Sequence, residues 1–293
     1  MTLKRSAAAA RSLFLAAAVF FVSATARADT GVVDRGAYLF AAAGCLACHT
    51  QPKGGAPLAG GHVFDTPFGT FISPNITPDP EHGLGSWSEA DFVRAMREGR
   101  SPDGSAYYPV FPFTSYTGMT DADLKALWAY LKSVEPVAQP NKAHEVSFPF
   151  TTRWPALAWQ WLFFDPAAFT AAPDKGEAWN PGAYLTRHLG HCGECHTPRN
   201  RFGVMDEARY LAGNPAGPEG KKVPNITPDD KTGLGGWAQI DMTYFLETGF
   251  LPDGDFTGGA MEEVVENTTS KLTAEDRAAM PEYLLSLPAI EGP

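Results

Sequence analysis

The chain has 293 residues, and its 33 acidic side chains outnumber the 23 basic ones, which gives a net charge of −10. This length is enough for two small domains. A surplus of acid repels the phosphate backbone, so the composition argues against a nucleic-acid-binding protein.

An export signal is predicted at the N-terminus. Basic residues at positions 4, 5 and 11 flank the start of an apolar run over residues 13–22, and Ala26-Arg27-Ala28 follows. This order is typical of a secretory signal peptide, here residues 1–28 with cleavage before Asp29. An uncleaved anchor is the alternative, although a spanning helix needs ~20 apolar residues. Because residues 1–28 hold four basic and no acidic side chains, the mature chain carries −14. We predict a periplasmic protein and leave peripheral attachment to the inner membrane open.

Two stretches of the chain, Cys45 to His49 and Cys192 to His196, share the pattern Cys-x-x-Cys-His. This pattern is the attachment signature of c-type haem, in which two thiols bind one porphyrin and the adjacent imidazole can ligate the iron. One copy could be a zinc or thioredoxin-like pair, but two copies use all four cysteines of an exported chain. The sequence therefore predicts two covalently bound haem c groups. The thioether residues are then Cys45, Cys48, Cys192 and Cys195, and the proximal ligands are His49 and His196.

The chain contains an internal repeat with an offset of about 150 residues. Pro-Asn-Ile-Thr-Pro-Asp occurs at residues 74–79 and 224–229, and Gly-Leu-Gly-x-Trp occurs at 83–87 and 233–237. Two copies are too few for a solenoid, so we predict two related domains with one haem each. After the signal peptide, the predicted boundaries are 29–135 for the first domain, 136–178 for a packed linker and 179–293 for the second domain.

Short helices are predicted at matching places in both halves, so the predicted fold class is all-α. Thr120 and Thr273, each followed by acidic residues, are predicted N-caps of the last helix in their half. Tyr38 and Tyr184 precede the haem motifs and are expected to pack where the end helices cross. The Gly- and Pro-rich middle of each half is predicted as loop. The other predicted helices cover residues 34–43, 88–98, 181–189 and 239–248.

The segment between the predicted domains, residues 136–178, is rich in Pro and aromatic residues, among them Phe148, Trp154, Trp159 and Trp161. Such a stretch is too apolar for a free linker. We expect it to pack across both domains and fix their orientation. A docking or membrane-interface patch is the alternative.

A methionine sulfur opposite the proximal histidine would raise the reduction potential and close the iron to small molecules. Met261 is predicted in a loop before the Thr273 helix and is the expected distal ligand of the second haem. Met242 and Met280 fall on predicted helices, where packing is the simpler role.

The distal ligand of the first haem is less clearly marked, because the position that matches Met261 is Phe111, which cannot ligate. Met119 is the only methionine of that half predicted in a loop, and it is the preferred ligand. A hydrophobic staple onto Leu124 is its alternative role. His62, His82 or an open iron remain the other choices.

Five side chains with N–H donors are candidate partners of the haem propionates. Four of them recur in both halves, namely Asn75, Asn225, Trp87 and Trp237, and Arg199 follows the second motif. A turn-forming Asn, a core Trp and an ordinary surface Arg are equally simple interpretations.

The ordered motif set resembles that of the cytochrome c subunits of bacterial membrane-bound alcohol, gluconate and sorbitol dehydrogenases. The set includes the repeated motifs above, Tyr108-Pro109-x-Phe111-Pro112, Phe148-Pro149-Phe150 and Met261-x-x-Val264-Val265. The resemblance implies tandem cytochrome c domains that accept electrons from a periplasmic dehydrogenase and pass them to quinone, a cytochrome or a terminal oxidase. It also implies His49 and His196 as proximal ligands and Met261 as a distal ligand. Those subunits typically carry three haems, whereas this chain has two motifs.

An electron carrier without a substrate of its own is the leading hypothesis. A di-haem oxidoreductase, of the peroxidase or thiosulfate type, would need an open or displaceable sixth position, which Phe111 leaves conceivable at the first haem. A structural adaptor that holds a dehydrogenase at the membrane is a third hypothesis.

Overall fold

The computed structural model describes residues 30–217 and 220–293, so the predicted signal peptide lies outside the described residues. Helices joined by long loops make up most of the regular structure, together with an antiparallel hairpin. None of the helices in the described part of the chain is long and apolar enough to cross a bilayer. The helices are α1 (30–42), α2 (Cys45–His49), α3 (Glu89–Glu98), α4 (Phe113–Tyr116), α5 (Asp121–Leu131), α6 (Trp154–Phe163), α7 (Trp179–Tyr184), α8 (Gly193–His196), α9 (Gln239–Thr248), α10 (Ala260–Asn267) and α11 (Ala274–Leu285), and the strands are β1 (Val63–Thr66) and β2 (Gly69–Ile72).

The first and last helices of each half cross at a glycine. A Cβ atom added to Gly36 on α1 would lie 2.0 Å from the carbonyl oxygen of Ala126 on α5. In the second half, a Cβ atom on Gly182 of α7 would lie 2.1 Å from the carbonyl oxygen of Ala279 on α11. Both distances are far inside van der Waals contact, so only glycine permits these two close crossings.

Capping side chains set the starts of several helices. The Ser88 hydroxyl accepts a hydrogen bond from the Asp91 amide at 3.2 Å and the Asp91 carboxylate accepts one from the Ser88 amide at 3.1 Å, which forms a capping box on α3. Thr120 and Thr273 each accept a bond from the amide three residues ahead at 3.1 Å, as predicted. The matching helix α9 begins after Ala238, whose side chain has no acceptor.

Two local features differ from the predicted helices and loops. The helix before the second motif changes its winding, because α7 is followed by a π-helical turn at Leu185–Leu189, where the Gly190 amide donates to the Leu185 carbonyl at 2.7 Å. In the first half, the stretch predicted as loop forms the β1–β2 hairpin, with Val63 opposite Ile72. Strands of four residues are too short to leave a periodic signal.

The hydrophobic core is continuous across the two halves. Leu39 and Leu127 of the first half share one cluster of buried side chains with Leu185, Leu189 and Met280 of the second. The halves are therefore not separated by a polar boundary.

Tyr38 and Tyr184 were expected at the helix crossings, but each phenol reaches into the other half. The Tyr184 hydroxyl donates to the Asp123 carboxylate at 2.7 Å and accepts a bond from the Thr120 amide at 3.1 Å. The Tyr38 hydroxyl donates to the carboxylate of Asp276 in the same way. Each half thus contributes its tyrosine to the first turn of the other half's last helix. The sequence pattern could not show this, since both contacts join residues far apart in the chain.

Helix α6, inside the predicted linker, contacts both halves. The Gln160 side chain donates to the Gly99 carbonyl at 2.9 Å, and the Trp159 indole donates to the Phe202 carbonyl at 2.8 Å. The Phe163 and Phe202 rings stack with centroids 6.0 Å apart. The outer face of α6 stays exposed, and Trp161 keeps 83% of its surface accessible.

Two candidate haem-binding sites

The first Cys-x-x-Cys-His motif forms α2, and the second forms α8 together with its N-cap residue Cys192, which also has helical backbone. Residues three apart in a helix lie on one face, so both thiols of a motif point to the same side. No disulfide joins the four cysteines, so each sulfur is available for a thioether bond to haem. Burial raises the pKa of Cys45 and Cys192 to about 12 and that of Cys48 to about 11.

The two proximal histidines are oriented by the same hydrogen bond. The Nδ1 atom of His49 lies 2.8 Å from the carbonyl oxygen of Pro74, and the Nδ1 atom of His196 lies 2.8 Å from that of Pro224. A carbonyl can only accept, so Nδ1 carries the hydrogen and Nε2 keeps its lone pair for a metal. Burial lowers the pKa of both imidazoles, which favours the neutral, ligating form.

The loop after each motif repeats the same backbone geometry. The amide of Gly60 donates to the His49 carbonyl and that of Gly213 to the His196 carbonyl, both at 2.8 Å. Leu58 and Leu211, the residues two before these glycines, both adopt left-handed backbone with φ of 62°. A left-handed leucine costs free energy, so its occurrence at both matching positions indicates that the surrounding loop imposes it.

The donor set fits a porphyrin better than a small metal ion. In residues 30–217 and 220–293, no three side chains of His, Cys, Asp or Glu converge as the ligands of one ion. A zinc site would need such convergence. Covalent haem instead needs two thiols at the porphyrin edge and one imidazole beneath the iron, and both motifs supply these groups.

The predicted distal methionines occupy different settings. Met119 is fully buried in the core cluster that includes Leu124, and its carbonyl accepts a bond from the Arg97 guanidinium at 2.7 Å. Met261 is half-buried and lies in the first turn of α10, so the predicted loop position is wrong. The acidic Glu262 and Glu263 that follow it favour a helix start there. Axial ligation by Met119 and Met261 stays a prediction.

The structure also shows the surroundings of the other residues considered for the distal position of the first haem. Phe111 is half-buried, and its ring packs beside Tyr116 with centroids 5.9 Å apart. The His62 ring stacks on Phe64, with centroids 4.6 Å apart, and its buried Nδ1 atom has no hydrogen-bond partner. The backbone amide of His82 donates to the Asp79 carboxylate at 2.7 Å.

The two asparagines proposed as propionate partners already use both side-chain amide hydrogens in hydrogen bonds within the protein. Asn75 Nδ2 donates to the carbonyls of Val137 and Gln139 at 2.7 and 3.1 Å. Asn225 Nδ2 donates to the Thr232 hydroxyl at 2.9 Å and the Ile290 carbonyl at 2.7 Å. This geometry favours the turn-forming interpretation of both residues, because both donors of each amide are in use.

The remaining propionate candidates have other contacts. Trp87 packs on the main core cluster, and the Trp237 ring lies edge-on to Phe245 with centroids 5.7 Å apart. The Arg199 guanidinium donates to the Gly203 carbonyl at 2.6 Å and pairs with the Glu194 carboxylate. Their assignment to propionates stays a prediction.

The two motifs lie next to each other at the junction of the halves. The Tyr116 hydroxyl donates to the Ala43 carbonyl at 2.7 Å, and its ring meets His191 edge-on at 5.5 Å. The chain therefore holds the two sites close together.

Sequence reasoning did not single out Glu194, which joins the halves at this junction. Its Oε1 atom accepts bonds from the Thr114 and Ser115 hydroxyls at 2.8 and 2.7 Å, while Oε2 accepts from Arg199. The signal that could have found it is the contrast between the two motifs, because the first motif has Ala47 at the matching position.

Comparison with known proteins gives consistent matches. Residues 33–135 match the family model described as Cytochrome c. The chain is 43% identical over 267 residues to a protein of Cereibacter sphaeroides named Diheme cytochrome c-type, which covers 89% of this chain and 88% of that protein. It is 39% identical over 287 residues to the gluconate 2-dehydrogenase cytochrome c subunit of Pantoea cypripedii and 38% identical over 286 residues to the alcohol dehydrogenase (quinone) cytochrome c subunit of Gluconobacter oxydans.

Helices arranged around Cys-x-x-Cys-His motifs, with a family model to match, define a c-type cytochrome. The extent and identity of the first match take this further, and the chain belongs to the di-haem c-type cytochromes. The family resemblance and the two covalently bound haem c groups are thereby confirmed. The dehydrogenase relatives are cytochrome c subunits, in agreement with an electron-transfer subunit rather than an enzyme. Their alignments cover 95% and 93% of this chain but only 64% and 58% of those subunits.

Proposed function

We propose that this protein carries electrons, one at a time, from a periplasmic dehydrogenase toward the respiratory chain. The observation that carries the proposal is the duplicated site, in which His49 and His196 meet matching proline carbonyls at 2.8 Å. When bound, each haem supplies an iron that changes its charge by one electron. Two adjacent sites in one rigid core suit a relay between a donor and an acceptor.

The residues of each site hold the cofactor and restrict its chemistry. The thiols of Cys45, Cys48, Cys192 and Cys195 fix the two porphyrins in place. The Pro74 and Pro224 carbonyls keep each imidazole in the tautomer that leaves Nε2 free. Met119 and Met261 would supply the distal sulfur ligands, which would keep other molecules from the iron.

The partners are proposed from the relatives and from the charge. Similar chains are named as cytochrome c subunits of gluconate, alcohol and fructose dehydrogenases, so a dehydrogenase is the proposed donor. The acceptor is a quinone, another cytochrome or a terminal oxidase. The net charge of −14 in a chain cleaved before Asp29 suits a partner with a basic docking face. We place the protein in the periplasm, where peripheral contact with the inner membrane would bring it near the acceptor.

Mass spectrometry of the mature protein tests the proposal first. We expect the chain mass plus two covalently added haems, and the bare chain mass would overturn the proposal. As matched controls, Cys45→Ser with Cys48→Ser should remove one haem, and Cys192→Ser with Cys195→Ser should remove the other. On stopped-flow mixing with a reduced partner dehydrogenase, the haem absorption should change to that of the reduced form. A spectrum that stays that of the oxidised haem would exclude that dehydrogenase as the donor.

A second candidate function is a di-haem oxidoreductase. It is favoured by Phe111, which occupies the first-half position that matches Met261. Such an enzyme needs an open or displaceable sixth ligand, so the reduced protein should bind carbon monoxide at one haem and consume peroxide. Failure of both reactions would leave electron transfer alone.

A further inference from the structure

The Glu194 carboxylate is a buried charge at the junction of the two haem motifs. Its side chain is 12% exposed, and three donors from two parts of the chain surround it. Thr114 and Ser115 approach from α4 of the first half, and Arg199 approaches from the loop after the second motif. Three such partners hold the carboxylate in one position, and the Arg199 guanidinium forms an ion pair with it.

Glu194 lies inside the second motif, between Cys192 and Cys195, so its carboxylate is held close to the residues that bind the second haem. The Arg199 guanidinium also donates to the Glu194 carbonyl at 3.3 Å, which keeps the ion pair against α8. Charges interact more strongly in such a weakly polarisable setting than in water.

The first motif contains neither member of this ion pair. Ala47 occupies the position that matches Glu194, and Pro52 occupies the position that matches Arg199. The second motif therefore carries a Glu194–Arg199 ion pair that the first motif lacks, although their histidine geometry is the same. Local charge and hydrogen bonding are among the features by which a protein sets the potential of a bound haem.

We propose that Glu194 is a positioning residue that clamps the two halves at the haem junction, and that its charge lowers the reduction potential of the second haem relative to the first. The proposal rests on the proposed function, since it requires haem at both motifs. A negative charge stabilises the oxidised iron more than the reduced iron, because the oxidised iron carries one more positive charge. The direction of electron flow between the two sites then follows from one asymmetric carboxylate.

Potentiometric titration of the purified holoprotein tests this proposal with two opposite substitutions. Glu194→Gln removes the negative charge, so at a fixed applied potential one haem should become several-fold more reduced. Arg199→Gln leaves the carboxylate uncompensated but bonded to Thr114 and Ser115, so the same haem should become several-fold more oxidised. A tenfold change in this ratio corresponds to 59 mV for one electron. Glu135→Gln, at an exposed position outside both sites, is the matched charge control and should change neither potential.

The outcomes separate this proposal from the proposed function. Opposite shifts of one potential in the two variants support a charge effect. Shifts in the same direction, or none, overturn it, because a purely structural clamp would be weakened alike by either substitution. If Glu194→Gln does not fold, Arg199→Gln decides alone, and a potential that rises or stays constant refutes the proposal. Haem is counted by mass in every sample, so a preparation without two haems would contradict the proposed function instead.

Discussion

At the residue scale, the first distal position depends on one methionine. Met119 is fully buried, and the Arg97 guanidinium holds its carbonyl at 2.7 Å. Its backbone would therefore keep its place if the side chain were shortened. Because the Arg97 contact involves only the backbone of Met119, a change of its side chain tests the ligand role directly.

Replacement of Met119 by Ala should convert one haem to the high-spin state while the other stays low-spin, because the first iron loses its sulfur ligand. Removal of a buried Met should also lower the free energy of unfolding by roughly 2–5 kcal/mol. Optical and magnetic spectra report the spin state, and Met261→Ala should affect the other haem.

Met96→Ala is the matched control, because Met96 is also buried but packs within α3. It should lower stability with no change of spin state. A low-spin spectrum for both haems in Met119→Ala would remove Met119 from the site and favour its alternative role as a staple onto Leu124.

At the scale of single elements, the helices after the two repeated tryptophans start differently. Helix α3 has a full capping box from Ser88 and Asp91. In α9 only one of the two bonds is present, in which the Asp241 carboxylate accepts from the Ala238 amide at 3.1 Å. The second half therefore lacks one cap that the first half has. Each helix can be given the N-cap residue of the other by a single substitution.

We expect Ser88→Ala to lower the free energy of unfolding by about 1 kcal/mol, because it leaves the Asp91 amide without its acceptor. The reciprocal change Ala238→Ser should raise it by about 0.5–1 kcal/mol, since the new hydroxyl can accept the Asp241 amide. Denaturant unfolding of both variants measures this. A destabilised Ala238→Ser protein would show that the start of α9 cannot adopt the cap geometry of α3.

At the scale of the whole molecule, the reciprocal contacts of Tyr38 and Tyr184 link the two halves. Burial, followed by the carboxylate of Asp276, raises the pKa of Tyr38 to about 12. Burial also raises the pKa of Tyr184, and Asp123 contributes in the same direction. In the unfolded chain both phenols titrate near the ordinary value of about 10.

The folded protein should therefore lose stability as the pH rises from about 10 toward 12. The native state holds the phenolic protons more tightly than the unfolded state, so this contribution is fully present below pH 10 and is lost through the folded pKa. Chemical denaturation across this range measures the slope, which Tyr38→Phe and Tyr184→Phe should each reduce. Tyr244→Phe, at an exposed position, is the control. An unchanged slope in both variants would contradict the role of these contacts.

Much of the fold could be predicted because its signals are local. The haem motifs, the Thr120 and Thr273 caps and the span of α9 follow from residues a few positions apart. The helical position of Met261 and the π-turn at Leu185–Leu189 depend on packing that short patterns do not record.

The contacts that could not be predicted from the sequence lie between the two halves of the chain. Glu194 contacts residues that are 79 and 80 positions away, and Tyr38 contacts one that is 238 positions away. Each half could be understood from its own repeat, but the repeat does not specify how its two copies meet. The contacts that join the two halves were therefore the ones that motif reading missed.

The exchange of tyrosines between the halves has an evolutionary consequence. In an isologous interface, residue i of one subunit contacts residue j of its partner, and j contacts i. Tyr38 with Asp276 and Tyr184 with Asp123 follow this rule within a single polypeptide. Fusion of the two subunits of a twofold homodimer into one gene would produce this arrangement. A carboxylate in only one copy, as at Glu194, then distinguishes two otherwise equivalent sites.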